Sequence, residues 1–194
     1  MNDLIPRIEW NEQSVTATRT INNPTLSGIS STDAINVGMV ASGTGIPTGA
    51  TVLSKTVSSV TLSANASASG TSVINFVERL DFEYPPKSDT EEDLQPKQSI
   101  LESLSGVKQY QTNYLEAVRE LEFQLVNQTL SDKLRNNFYI YVYSGNTFKY
   151  YQDKDVASYE TVEIDQKSFQ RRRQTSRGSS FYYAIKFNLR RVVS

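Results

Sequence analysis

The chain is 194 residues long, has a net charge of −1, and contains neither cysteine nor histidine. Disulfides, Cys/His zinc sites, thiolate nucleophiles and every triad that needs an imidazole base are thereby excluded. No apolar run approaches the length of about eighteen residues that spans a bilayer, and Met1–Arg7 lacks the basic start and apolar core of a signal peptide. A soluble protein made in the cytoplasm is expected.

Leu4 to Val15 reads as a short strand, with Ile8 and Trp10 alternating against Glu9 and Asn11. The chain turns around Asn22-Asn23-Pro24 and Gly28, then enters a stretch of very low charge. From Gly28 to Phe76 the only charged residues are Asp33 and Lys55, and five of the nine glycines fall between Gly38 and Gly70. Polar composition alone would permit disorder. The short apolar pieces Ile35-Asn36-Val37, Thr51-Val52-Leu53, Val60-Thr61-Leu62 and Val73-Ile74-Asn75-Phe76 argue instead for a small all-β module with glycine turns. Within it, Met39 to Pro47 is punctuated by Gly and Pro and reads as turns rather than regular structure.

Charge returns at Glu78 and Arg79. Leu80-Asp81-Phe82-Glu83-Tyr84 alternates and stops at Pro85-Pro86, and Lys87 to Pro96 reads as an exposed acidic linker. Ser99–Leu104, Val107–Leu115 and Glu120–Val126 read as three strands of an antiparallel meander, the first two joined near Ser105-Gly106. Leu121, Phe123 and Leu125 share one face of the third. The period then changes. Ser131 is the expected N-cap of a helix of about three turns carrying Leu134, Phe138 and Tyr141 or Val142, closed by Gly145. Phe148–Tyr151 and Tyr159–Ile164 are further strands. Finally, Phe181 to Val193 alternates strictly, with Phe181, Tyr183, Ile185, Phe187 and Leu189 on one side and Lys186, Asn188 and Arg190 on the other. A strand that long either crosses a whole sheet or reaches toward a neighbour. The expected fold is mainly β: an antiparallel β-sandwich with one α-helix. Residues 1–16 and 77–194 would form its discontinuous body, and residues 17–76 the inserted low-charge module.

Charge is polarised along the chain. Asp81 to Asp93 holds six acids against Lys87, whereas Gln166 to Ser194 holds eight bases and no acid. Opposite poles on one subunit suit head-to-tail contact between copies. The run Arg171-Arg172-Arg173, with Arg177, is the sharpest feature. It reads first as a subunit contact, then as a phosphate grip or a solvated hairpin; nucleic acid is the disfavoured partner. Tyr139, Tyr141, Tyr143, Phe148, Tyr150 and Tyr151 form a dense aromatic group, read as core plus interface, with a sugar- or base-stacking platform as the rival. Arg190 and Arg191 complete the interface candidates. Asp153-Lys154-Asp155 and Asp165 read as polar turns rather than a metal site, and Glu116, Glu120 and Glu122 as strand and turn surface. No catalytic residue, metal or cofactor is expected, and no membrane partner.

Two stretches carry a resemblance. Gly38-Met39-Val40-Ala41-Ser42-Gly43-Thr44-Gly45-Ile46-Pro47, with Val60-Thr61-Leu62-Ser63-Ala64-Asn65-Ala66, resembles a β-rich, Ig-like module common in tailed-bacteriophage virion proteins. Leu104-Ser105-Gly106-Val107-Lys108-Gln109, Tyr114-Leu115-Glu116-Ala117-Val118-Arg119, Gly145-Asn146-Thr147-Phe148-Lys149-Tyr150-Tyr151 and Phe187-Asn188-Leu189-Arg190-Arg191 resemble small phage tail or connector proteins, nearest to distal-tail baseplate proteins. The resemblance implies a structural virion component, forming a ring with copies of itself beside other tail or neck proteins. It brings no catalytic residues. The alternative is a carbohydrate-binding or host-attachment module of a phage tail that uses the tyrosines. Carboxylate-only chemistry, a glycosidase-type pair or a Ca²⁺ or Mg²⁺ site, survives the composition, and a carboxylate-based glycosidase is the third reading.

Overall fold

The computed structural model describes residues 4–91, 95–102, 108–116, 118–165 and 167–191, with backbone alone for residues 88–91, 95–102 and 108–116. The chain is mainly β, with antiparallel sheets and one helix in a β-sandwich-like arrangement. It folds as two compact units, one of residues 8–80 and the other of residues 1–7 with 81–194. No helix among the described residues is long and apolar enough to cross a membrane.

The smaller unit is built from β1 (Arg7–Arg19), β2 (Thr25–Leu26), β3 (Val40–Ser42), β4 (Val52–Lys55), β5 (Val60–Leu62) and β6 (Gly70–Asp81). Its two sheets are ordered β3-β6-β1 and β2-β5-β4. Leu26, Ile35, Met39, Leu62, Ile74 and Phe76 are all buried in one cluster between them. In β1 the inward residues are Ile8 and Trp10 before Asn11, and Ala17 and Arg19 after it. Asn11 has φ 52°, and this left-handed residue moves the buried set from even to odd positions. β6 runs unbroken through Phe76, burying Ile74, Phe76, Glu78 and Leu80 in strict alternation.

Two expectations for this unit are corrected. Val40–Ser42 is a strand, pairing Val40 with Val77 and Ala41 with Phe76. Three residues suffice there because the ladder is supplied by β6 rather than by local propensity. Ile35-Asn36-Val37, in contrast, is not a strand; the Ile35 N–H bonds Thr32 O in a turn that buries the Ile35 side chain.

The larger unit contains β7 (Ser88–Glu91), β8 (Gln95–Glu102), β9 (Lys108–Glu116) and β10 (Val118–Asn127) before the helix. The helix comprises α1 (Gln128–Lys133), a π-helical turn (Leu134–Phe138) and α2 (Tyr139–Tyr143). β11 (Phe148–Tyr151), β12 (Glu160–Ile164), β13 (Gln170–Arg177) and β14 (Ser180–Arg191) follow. β14 is the central strand: the sheet runs β11-β12-β14-β10-β7, and β13 also pairs with β14. Leu121 lies opposite Phe187 and Phe123 opposite Ile185, all buried. The helix buries Leu134, Phe138 and Val142, and Phe138 meets Phe148 edge-on at 4.7 Å. Each such side chain contributes roughly 1.5–3 kcal/mol by leaving water.

Several expectations change in this unit. The acidic linker contains β7, paired with β10 through Asp89↔Leu121 and Glu91↔Arg119. The strand read at Leu80–Tyr84 ends at Asp81, and Phe82 leaves it to stack on Phe123 at 4.0 Å. β8 and β9 form their own two-stranded sheet, so β10 does not continue a meander. The joint near Ser105-Gly106 and the final Val192-Val193 lie outside the described residues. The N-cap is Asn127, whose side chain accepts from the Leu130 N–H at 2.8 Å. Ser131 is instead fully buried inside the first turn. Leu125 is 53% exposed with φ 56°, because the register shifts between Phe123 and Val126 and Val126 takes the inward place.

Candidate functional site

Alternation along β13 sends its arginines two ways. Arg171 lies opposite Ile185 and Arg173 opposite Tyr183, on the inward face, whereas Arg172 lies opposite Ala184 on the other. Arg171 is committed within the chain. Its Nε donates to Ser131 Oγ at 2.6 Å, its NH2 to Asp132 Oδ1 at 2.6 Å, and its guanidinium covers the Tyr183 ring at 4.0 Å. This ties β13 to the helix. Arg173 is exposed and rests on the Phe181 ring at 3.8 Å.

Arg172 and Arg177 are exposed and have no carboxylate partner among the described residues. Arg177 sits at the hairpin tip, opposite Ser180, where Gly178 adopts φ 62° to make the turn. A second register shift lies at Gln174, between Arg173 and Thr175. Gln174 Oε1 accepts from the Leu125 N–H at 3.0 Å, so the side chain freed by the bulge of β13 caps the bulge of β10. Beside them an open groove of about 700 Å³ is lined by Glu83, Tyr84, Leu125, Asn127, Arg177 and Tyr182. Neither bulge was visible as an interruption of alternation, and Tyr84, Leu125, Gln174 and Tyr182 were not read as site residues for that reason.

The outward face of β10 and β14 is an ion-pair lattice. Lys186 meets Glu120 at 2.7 Å, and Lys87 meets Glu122 at 3.7 Å. The Glu122 carboxyl is held below its ordinary value, first by the Gln124 amide that donates to it and then by the Lys87 and Lys186 charges, against some desolvation. Arg190 stands 3.9 Å from Asp165, and Arg191 is exposed opposite Val162.

The tyrosines separate. Tyr150 and Tyr151 are buried, with Arg119 over the first ring at 5.6 Å and Arg7 over the second at 3.7 Å. Consecutive in β11, they point to opposite faces of the strand, and both are buried in the core rather than exposed as contact surface. Tyr139 is half-buried, stacked on Phe169 at 4.6 Å and 5.8 Å from Tyr143. Tyr141 is half-buried and Tyr143 exposed. The six aromatics therefore do not make one stacking platform. Asp153-Lys154-Asp155 is a turn in which the Asp155 N–H bonds Asp153 Oδ1 at 3.0 Å and the Lys154 N–H bonds Ile5 O at 2.7 Å. Among the described residues no group of acids is arranged to hold a metal ion. Compared with protein-family profiles, curated proteins and solved structures, the chain matches none.

Proposed function

We propose that the chain is a structural component of a tailed-phage virion, assembling as a homo-oligomeric ring in the tail, baseplate or head–tail connection beside other tail or neck proteins. The observation that carries this reading is the β13–β14 hairpin: Arg171 braces it against the helix, while Arg172 and Arg177 point away from the core without a carboxylate partner among the described residues. Holding a charged hairpin rigid lowers the ordering cost of a contact made by its outer surface. The phage assignment rests on the resemblance of residues 38–47 and 60–66 and of the tail-like segments. The test is a virion assembly assay with Arg172→Glu and Arg177→Glu together, leaving Arg171 intact. Particle assembly is expected to fail while the free chain keeps its melting temperature; normal particles would reject the hairpin as the contact. Electron cryo-microscopy of particles gives the position and symmetry.

A second reading, a glycan-binding tail module, draws on the groove at Tyr84 and Tyr182, where Asn127, Glu83 and Arg177 offer polar groups beside two rings. Its test is a glycan array with the whole chain, and a flat response removes it.

A further inference from the structure

The larger unit contains a run of four antiparallel strands, β13-β14-β10-β7, whose outer members are opposite in charge. β13 is Gln-Arg-Arg-Arg-Gln-Thr-Ser-Arg and has no acid; β7 is Ser-Asp-Thr-Glu and has no base. Among the described residues each is paired along one side only. Unpaired edges of this kind accept another strand unless something prevents it.

Here the charges prevent one outcome and favour another. β13 against β13 of a second copy would oppose arginine to arginine, and β7 against β7 acid to acid, so both two-fold pairings are repelled. β13 against β7 is attractive. The strand count permits it as well: in a run of four alternating strands the outer two are antiparallel to each other. A second copy displaced sideways therefore presents its β7 antiparallel to β13, with the same face of the sheet continuing. We infer that β13 of one copy pairs with β7 of the next, carrying the sheet across the subunit boundary; this rests on the homo-oligomer reading above and supplies its interface.

The register follows from the faces. Asp89 is in register with Leu121, which is in register with Phe187 on the buried face. Arg171 and Arg173 are in register with Ile185 and Tyr183 of that same face. Opposing residues in an antiparallel ladder share a face, so setting Asp89 against Arg173 also sets Glu91 against Arg171 and Thr90 against Arg172. A shift of two residues one way sets Asp89 against Thr175, which the bulge has turned to the other face. The same shift the other way sets Glu91 against Phe169, beyond the strand. One register matches both faces and sets each acid opposite an arginine. Arg171 already holds Asp132, which leaves Asp89–Arg173 as the pair formed only between copies. A head-to-tail contact of this type closes into a ring when its rotation divides a full turn.

The native chain has no cysteine, so Asp89→Cys with Arg173→Cys in the full chain gives a clean cross-linking test. Directly opposed strand residues have Cα atoms about 4.5–5.5 Å apart, within disulfide reach. Oxidation is expected to give a covalent ladder on a non-reducing gel, while each single-cysteine variant gives none. In sedimentation at low salt, Arg173→Asp is expected to weaken self-association by roughly tenfold or more, and Arg173→Asp with Asp89→Arg to restore it. The restored pair separates loss of contact from loss of folding. Oligomers that form without an 89–173 ladder and ignore the charge swap overturn this interface and leave the ring reading standing. A wild-type chain that sediments as a monomer at every concentration, with no ladder, overturns both.

Discussion

Arg171, Arg172 and Arg173 are one triplet in the sequence and three different residues in the fold. Strand alternation separates Arg172 from its neighbours, and the helix takes Arg171 alone, through Ser131 and Asp132. The Arg171 side chain is 16% exposed, so its ion pair is largely shielded from solvent. Ser131, fully buried, loses its donor when the arginine is removed, and Asp132 loses its cation. Arg171→Ala is therefore expected to destabilise the chain by about 2–4 kcal/mol, summing an unmet buried hydroxyl and a broken charge-assisted pair. Arg172→Ala, which removes no side-chain hydrogen bond or ion pair among the described residues, should stay within about 0.5 kcal/mol. Urea midpoints at unchanged slope measure both. Equally small losses would mean that the helix does not hold Arg171, and a triple substitution across 171–173 would then be a fair test of assembly rather than of folding.

At the scale of elements, alternation located the strands that build the core and misread those that depend on a neighbour. The long alternation from Phe181 was legible because Ile185, Phe187 and Leu189 must all be buried together, and the strand is indeed the central one. β7 and β3 were not legible: each is a few residues long and exists because β10 or β6 offers it a ladder. The helix cap was misplaced at Ser131 for a related reason: Asn and Ser cap equally well by type, and packing sets Asn127 at the helix start and buries Ser131. Leu125 is the plainest case. Counting by twos puts it inward, but one extra residue in β10 turns it out at φ 56°. A left-handed non-glycine residue costs roughly 1–2 kcal/mol; the added chain entropy of glycine costs roughly 0.5–1 kcal/mol. Leu125→Gly is therefore expected to leave stability unchanged or raise it by up to about 1 kcal/mol, whereas Phe123→Ala should cost about 3–5 kcal/mol. Thermal denaturation of the two variants decides it, and a large loss at Leu125 would show that its side chain is held by packing after all.

For the molecule as a whole, the low-charge stretch was the most legible part of the sequence in kind and the least in detail. Its β-branched residues and spaced glycines specify a small all-β unit, and residues 8–80 form one with its own core. What spacing could not reveal is how that unit manages Arg19, 5% exposed, which donates to Ser72 Oγ at 2.7 Å and has no acid partner among the described residues. Gly45 makes room for it: a Cβ there would stand 2.5 Å from the Arg19 Nε, and φ +71° already favours glycine. Such devices are local to residues 8–80. Ala17, Ile29, Ala50, Val52 and Val60 belong to the same cluster, whose members among the described residues all lie within 8–80. Residues 8–80 expressed alone are therefore expected to fold. A unit of this size without disulfides gains only about 3–5 kcal/mol from its core, so the margin should be narrow but real. Circular dichroism should report β structure that melts cooperatively, with a urea transition reversible on dilution. A chain lacking any transition would mean that the core at Ile74 and Phe76 depends on residues outside 8–80, and that the low-charge stretch is a part of the body rather than a unit in its own right.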